Sequence, residues 1–360
     1  MVQKGACPAC EVVPKGPSGK GNLYVSPPVP HTRKKIMVAA KAASLSMDES
    51  MPGVLGIHLD ARQLDDLLRH LNGTLSRPER EECNALFLNE GEELTLSGLL
   101  QARPLAVMTA RMEGEWLVQL MEDDQLFAHF HPIVEMNDPD RVFAHECLLR
   151  ARDDKGGLIS PAKIFAAANE ADLMFHLDRA ARLTAIRDAV RYDLAGKIFI
   201  NFNPTAIYDP AFCLQTTVRA TQDAGIDPSR LVFEVIESEE VRDVDHLTSI
   251  LDFYRKAGFG VALDDLGSGY ASLNLLSSLR PDYVKFDREL VRDIDINPYK
   301  QKVFIKLAEM AQDLGVLTVA EGIESETEWA FLQAHNVDFA QGFLFCKPDA
   351  PPQKPYNPAS

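Results

Sequence analysis

From about residue 113 onward, short apolar runs alternate with longer stretches whose apolar residues recur at helical spacing. That alternation limits the fold more than any other feature of the chain. The strand-like runs are Phe127–Glu135, Val142–Arg150, Lys197–Asn203, Leu231–Glu237, Gly260–Leu266, Tyr283–Asp287, Leu317–Glu321 and Phe339–Phe345. Helical stretches such as Pro161–Tyr192, Asp243–Ala257 and Tyr299–Leu314 lie between them. Eight strands with helical crossovers over about 240 residues predict an α/β fold, a closed TIM-like β/α barrel rather than an open doubly wound sheet. Only Met136–Arg141 separates the first two runs, too short for a helical crossover, so that pair is expected to run antiparallel.

At 360 residues the chain has room for about two domains. Residues 1–33 are rich in Gly, Pro, Ser and Lys and read as a flexible tail. The tail carries Cys7-Pro-Ala-Cys10, which is half of a zinc site; a zinc ion at Cys7 and Cys10, a redox role, or a plain turn are its readings. Residues 34–112 read as a small α/β region that senses something, pairs with a copy of itself, or packs on the barrel. Val54–His58 is a strand there, and Leu64, Leu67, Leu68 and Leu71 share a helical face. Ser76 and Glu79 form a capping box with Pro78 in the first turn. The barrel is expected over 113–350, with 351–360 as a tail. No apolar leader and no membrane-length apolar run is present, and the cysteines are scattered, so a cytoplasmic chain with reduced thiols is expected. An apolar fraction of 46% excludes wholesale disorder. A net charge of −16 makes duplex nucleic acid or an anionic membrane poor partners. A phosphate ester would need a local positive source.

The informative residues are polar side chains inside apolar strands. Glu146, Glu234, the adjacent pair Asp264-Asp265, and Glu321 lie on four different runs, each at or near a carboxyl end; Asn201, Lys285 and Gln341 occupy similar places. A lone buried carboxylate costs several kcal/mol unless something compensates it. A salt bridge or a helix cap explains one such residue, and Asp264-Asp265 could merely cap the following turn. Five that converge on one barrel mouth repel one another, and one lysine does not neutralise them. Divalent cations do. An all-oxygen donor set suits magnesium or manganese rather than zinc, and two ions would clamp a phosphodiester and activate a water.

These residues and their order resemble the EAL-domain family of cyclic di-GMP phosphodiesterases. The segments that carry the resemblance are Phe130-His-Pro-Ile-Val134, Glu146-Cys-Leu-Leu-Arg150, Ile200-Asn-Phe-Asn203, Phe233-Glu-Val-Ile-Glu237, Asp264-Asp-Leu-Gly-Ser-Gly-Tyr-Ala-Ser-Leu273, Val284-Lys-Phe-Asp287, Ala320-Glu-Gly-Ile-Glu324 and Gln341-Gly-Phe343. The resemblance implies a barrel with one antiparallel strand and metal-dependent hydrolysis of cyclic di-GMP to linear pGpG, which lowers this messenger in bacterial signalling. It implies a first metal on Glu146, Asn201, Glu234 and Asp264, and a second on Asp264 and Asp265. Lys285 would orient or polarise the attacking water. Glu321 would bind a metal or its water, or act as general base. Gln341 would support the metal–water network, Arg150 would meet a substrate phosphate, and Leu148 and His131 would border the substrate. Glu237 would anchor the loop Asp264–Leu273. A homodimer through the barrel is implied as well.

The chain departs from the family pattern in places. Cys147 replaces the middle Ala of the Glu-Ala-Leu signature; its strand parity points it at the helices, where a small apolar group suffices. His131 stands where Gln is usual, Ile236 for Thr, Asn203 for Ser, and Phe343 for Tyr. Leu266, Ser268 and Ala271 replace Phe, Thr and Ser in the loop. None of these removes a proposed ligand. The alternative readings are a catalytically weak cyclic di-GMP receptor or protein-interaction module, and a barrel metalloenzyme with another phosphoester substrate.

Overall fold

The computed structural model describes residues 12–356 except 15, 18, 237–242 and 268–271. Cys7, Cys10, Glu237 and the centre of the Asp264–Leu273 loop therefore lie outside the described residues. The chain divides into two compact units, one formed by Val12–Gln125 with Ser160–Met174, the other by Leu126–Ile159 and the residues from Phe175 on.

The first unit holds an antiparallel sheet of β1 (Lys20–Ser26), β2 (Ser46–Met51), β3 (Val54–Asp60), β4 (Asn84–Asn89) and β5 (Arg103–Pro104), in the order β2-β3-β1-β4-β5. With the helices Pro30–Ala42 and Ala61–Thr74 this is a β-α-β-β-α-β arrangement. The expectation of a flexible tail over 1–33 is corrected here: Lys20–Ser26 is the central strand. Its Leu23 and Val25 alternate into the core beneath Ile57, Leu64 and Leu68, a short period-2 signal hidden by the Gly and Pro around it. Pro30, counted with the tail, opens a helix, where its missing N–H is no loss. Leu64, Leu67, Leu68 and Leu71 are buried on one helical face, and the Ser76–Glu79 capping box is formed. Glu79 also accepts from Thr32 Oγ1 (2.7 Å) and Lys35 Nζ (2.8 Å), which ties two helices together.

The second unit is the barrel. Its strands are β6 (Phe127–Glu135), β7 (Asp138–Arg152), β9 (Lys197–Phe202), β10 (Leu231–Ile236), β11 (Gly260–Leu266), β12 (Tyr283–Phe286), β13 (Leu317–Ala320) and β14 (Phe339–Ala340); the short β8 (Leu158–Ile159) pairs only with β7. Neighbours run β6-β14-β13-β12-β11-β10-β9-β7, and β6 pairs again with β7, so the sheet closes. β6 is antiparallel to both neighbours and the other barrel strands are parallel.

Period-2 alternation sorts each strand into an outer residue that packs against the helices and an inner residue that fills the barrel. Ile133, Ala144, Phe199, Val232, Ala262, Tyr283, Val319 and Phe339 form the inner plug, with Phe143 stacked on Phe339 at 3.8 Å. Cys147 points the other way, into the outer layer, as its parity requires. Two expectations shift. The single helical stretch Pro161–Tyr192 is two helices, Pro161–Glu170 and Met174–Arg191, with Asp172 at φ 54° between them. The last strand stops at Ala340 because Gly342 lies against the backbone of Ile323, where any Cβ would collide and the chain must turn.

Candidate metal centre

Two residues along from each plug residue, toward the carboxyl ends of the parallel strands, stands a polar side chain. The pairs are Ala144 and Glu146, Phe199 and Asn201, Val232 and Glu234, Ala262 and Asp264, Tyr283 and Lys285, Val319 and Glu321, and Phe339 and Gln341; on the reversed β6 the pair is Ile133 and His131. Every strand thus contributes one polar group to the same rim, directly above an apolar floor.

Lys285 sits at the centre and is 1% exposed. Its Nζ lies 2.8 Å from Glu234 Oε1, 3.3 Å from Asp264 Oδ1 and 3.7 Å from Glu146 Oε1, and it pairs with Glu321 Oε1. Glu146 is held from both sides: Asn201 Nδ2 donates to Oε1 (3.1 Å) and Gln341 Nε2 donates to Oε2 (2.9 Å).

Asp265 should face away from Asp264, since adjacent strand residues point to opposite faces. The register of β11 against β12 breaks between Leu263 and Leu266, and Asp265 takes φ 58°. This bulge re-aims its carboxylate, so that Asp264, Asp265 and Glu321 each bring an oxygen within 4.8 Å of the others. A left-handed non-glycine residue costs of order 1 kcal/mol or more, and Asp is among the types that tolerate it.

Burial pushes the Glu234 and Glu321 carboxyls well above the ordinary range, against the pull of Lys285, with neighbouring acids adding to the rise. Asp264 is raised by the same burial. Asp265 is pushed up to about 6 by burial, then by Asp264 and Asp287. Glu146 differs: burial would raise it, but Lys285, His131 and the two amides outweigh that and hold it low. Lys285 is itself held well above its usual value, since the surrounding acids overcome its burial. Four carboxylates therefore share one ammonium, and a fifth, Asp265, adjoins Asp264 and Glu321. Beyond its ion pair with that ammonium, neither oxygen of the fully buried Glu234 has a hydrogen-bond donor among the described residues. A buried carboxylate so thinly compensated, beside further acids in an all-oxygen donor set, fits a divalent cation.

The other expected residues sit around this rim. His131 Nε2 donates to the Cys346 carbonyl oxygen (3.2 Å), its ring lies 6.1 Å from that of Phe343, and burial lowers its pKa. Arg150 Nη1 donates to the Leu149 carbonyl oxygen (2.8 Å) from the same face of β7 as Glu146 and the half-buried Leu148. Asp287 carried no role in the sequence reading, and its charge bears on Asp265. The signal was its period-2 offset from Lys285. A cavity of about 970 Å³ opens at the other end of the barrel, beside Lys197, Gly260, Tyr283 and Leu317. That end carries none of the rim carboxylates; the convergence of charge selects the carboxyl-end mouth. No helix among the described residues is long and apolar enough to cross a membrane.

Comparison with known proteins agrees with this geometry. The model of the EAL domain matches residues 115–348. The cyclic di-GMP phosphodiesterase NbdA of Pseudomonas aeruginosa is 30% identical over 322 residues, 88% of this chain and 39% of that protein. The cyclic di-GMP phosphodiesterase PdeR of Escherichia coli is 29% identical over 235 residues, 64% of this chain and 35% of that one. The chain thus spans well under half the length of these two relatives. Among solved structures, a standalone EAL protein from Vibrio cholerae bound to c-di-GMP is 32% identical, covers 64% of this chain and 95% of its own, and superposes with a TM-score of 0.58. Klebsiella pneumoniae BlrP1 shares the fold over 92% of this chain and 96% of its own, at 24% identity and a TM-score of 0.56.

Proposed function

This chain belongs to the EAL domain family, and from that premise we propose that it hydrolyses cyclic di-GMP to linear pGpG with two divalent ions, magnesium or manganese. The observation that carries the reading is the cluster of five carboxylates at Lys285, three of them buried, with Glu234 lacking a hydrogen-bond donor among the described residues besides that ammonium. Glu146, Asn201, Glu234 and Asp264 would hold the first ion, Asp264 and Asp265 the second, with Glu321 on a metal or its water. When bound, such ions neutralise the phosphodiester and make a water nucleophilic near neutral pH.

The chain's own residues supply the orientation. Asn201 and Gln341 lock the Glu146 carboxylate, and because Asn201 spends its Nδ2 on Glu146, its Oδ1 is left to face a cation. Lys285, kept protonated by its acidic neighbours, donates to the attacking water and keeps the acids at one level. Glu321 is the alternative seat of the water's proton. The water oxygen bonds to phosphorus as its proton passes to Glu321 or to solvent, the P–O3′ bond breaks, and the 3′ oxygen takes up a proton from solvent. Arg150 meets a phosphate that the attack leaves intact, and Leu148, His131 and Gln341 border the nucleotide. Within this reading the chain acts in the cytoplasm as a homodimer through the barrel.

The test is chromatography of cyclic di-GMP incubated with purified chain and manganese or magnesium. A pGpG peak that EDTA abolishes is expected. Glu146→Ala should cut turnover by about 10²–10³, the several kcal/mol a misplaced metal forfeits. Intact substrate after incubation of the unaltered chain with either ion would refute the proposal.

A further inference from the structure

The helix Met174–Arg191 buries three charged residues where an apolar stripe is expected; Asp188 accepts the Ala128 backbone N–H, and Asp178 and Arg182 meet each other. Arg182 is 0% exposed and Asp178 5%. They pair at i, i+4, and Arg182 Nε also donates to Thr217 Oγ1 (3.1 Å) on the helix Gln215–Asp223. A buried ion pair often adds little net stability, and apolar residues of similar volume frequently replace it without loss. The geometry gives this one another use. Asp178 divides its carboxylate: one oxygen meets Arg182, and the other accepts the backbone N–H of Asn203 at 2.7 Å. Asn203 lies just past the end of β9, two residues beyond Asn201, which sits in the rim. Between them, Phe202 meets Tyr254 edge-on (5.3 Å), and Tyr254 stacks on Phe233, the neighbour of Glu234 (4.0 Å, 8°). The end of β9 is thus clamped from outside the barrel by one fixed oxygen.

We propose that Asp178, held in place by Arg182, is a positioning residue that sets the height and rotation of Asn201 in the rim. This rests on the reading of Asn201 as a metal ligand. Asp178 touches neither substrate nor ion; it acts through the Asn203 N–H. A merely structural pair and a positioning pair respond differently to two double variants. Asp178→Leu with Arg182→Met removes both charges and the acceptor. Asp178→Asn with Arg182→Met removes both charges but keeps an amide oxygen for Asn203, with no cation competing for it.

The readout is Mn²⁺ binding to the full chain by electron paramagnetic resonance, beside a thermal melt in EDTA. The Leu/Met variant should melt near the unaltered chain and bind Mn²⁺ about 10–100-fold more weakly. The Asn/Met variant should recover most of that loss. Parental Mn²⁺ affinity in the Leu/Met variant would overturn the proposal, as would a folded Asn/Met variant with weakened binding. If Leu/Met does not fold, the Asn/Met result decides. An unaltered chain that binds no Mn²⁺ would instead overturn the metal reading, and that measurement needs no variant.

Discussion

Replacing Lys285 with Met isolates the electrostatics of the rim. Methionine fills a similar volume at this 1% exposed position and removes the ammonium that four carboxylates share. Deleting one partner of a buried ionic cluster costs about 3–5 kcal/mol. For a unit of this size, each kcal/mol moves the melting midpoint by about 2–4 °C, so a fall of roughly 10 °C is expected in EDTA at pH 7.5. The deficit should depend on pH. Glu234 and Glu321 are already raised, and without the lysine they rise further. A carboxyl whose folded pKa exceeds its unfolded value weakens the fold at high pH, and that penalty disappears as pH falls below the unfolded value. The gap to the unaltered chain should therefore narrow toward pH 5. Saturating Mn²⁺ should also narrow it, since the ions supply the missing positive charge, yet turnover should stay depressed by about 10²–10⁴. Differential scanning fluorimetry at two pH values, with EDTA or Mn²⁺, reads all but the last. A variant melting within about 2 °C of the unaltered chain in EDTA at pH 7.5 would refute the reasoning.

Two further outcomes are expected. Mn²⁺ affinity should weaken as pH drops below about 6, the value to which Asp265 is raised, because the ion competes with protons; calorimetry in buffers of different ionisation enthalpy should show proton release, and an affinity constant from pH 7.5 to 5 would contradict this. In the first unit, Lys35, then the Ser76 backbone and Thr32, hold Glu79 down at about 2. A depressed carboxyl stabilises above its unfolded pKa and loses that contribution as pH falls through the folded one, so Glu79→Gln should flatten this unit's melting curve against pH between about 5 and 2; parallel curves for both chains would count against it.

The barrel was legible in the sequence because its strands are read twice, as apolar runs and as polar residues at fixed offsets within them. Phe127–Glu135 and Gly260–Leu266 match the expected bounds. Where the reading slipped, a local signal had a tertiary cause. Phe339–Phe345 carries a strand composition, but the close packing of Gly342 on Ile323 ends the strand after two residues. Pro161–Tyr192 has continuous helical spacing, and only the left-handed turn at Asp172 divides it. Asp264-Asp265 announced acids, though not the bulge that turns both inward. Asp178 and Arg182 were legible in principle as charges on an apolar helical stripe; what they hold, the Asn203 N–H, is 25 residues away and set by the fold alone.

The offset of two between each plug residue and its rim partner has a consequence for how such a barrel can diversify. Because side chains alternate, a slip of one position in any strand would exchange an apolar plug residue for a wall-facing neighbour and withdraw a ligand in the same stroke. Foldability thus proofreads the site: strand alignments that would scatter the ligands are also those that leave the interior badly filled. A designer could therefore rewrite the upper tier of eight side chains for another ion or another anion while leaving the lower tier to enforce alignment.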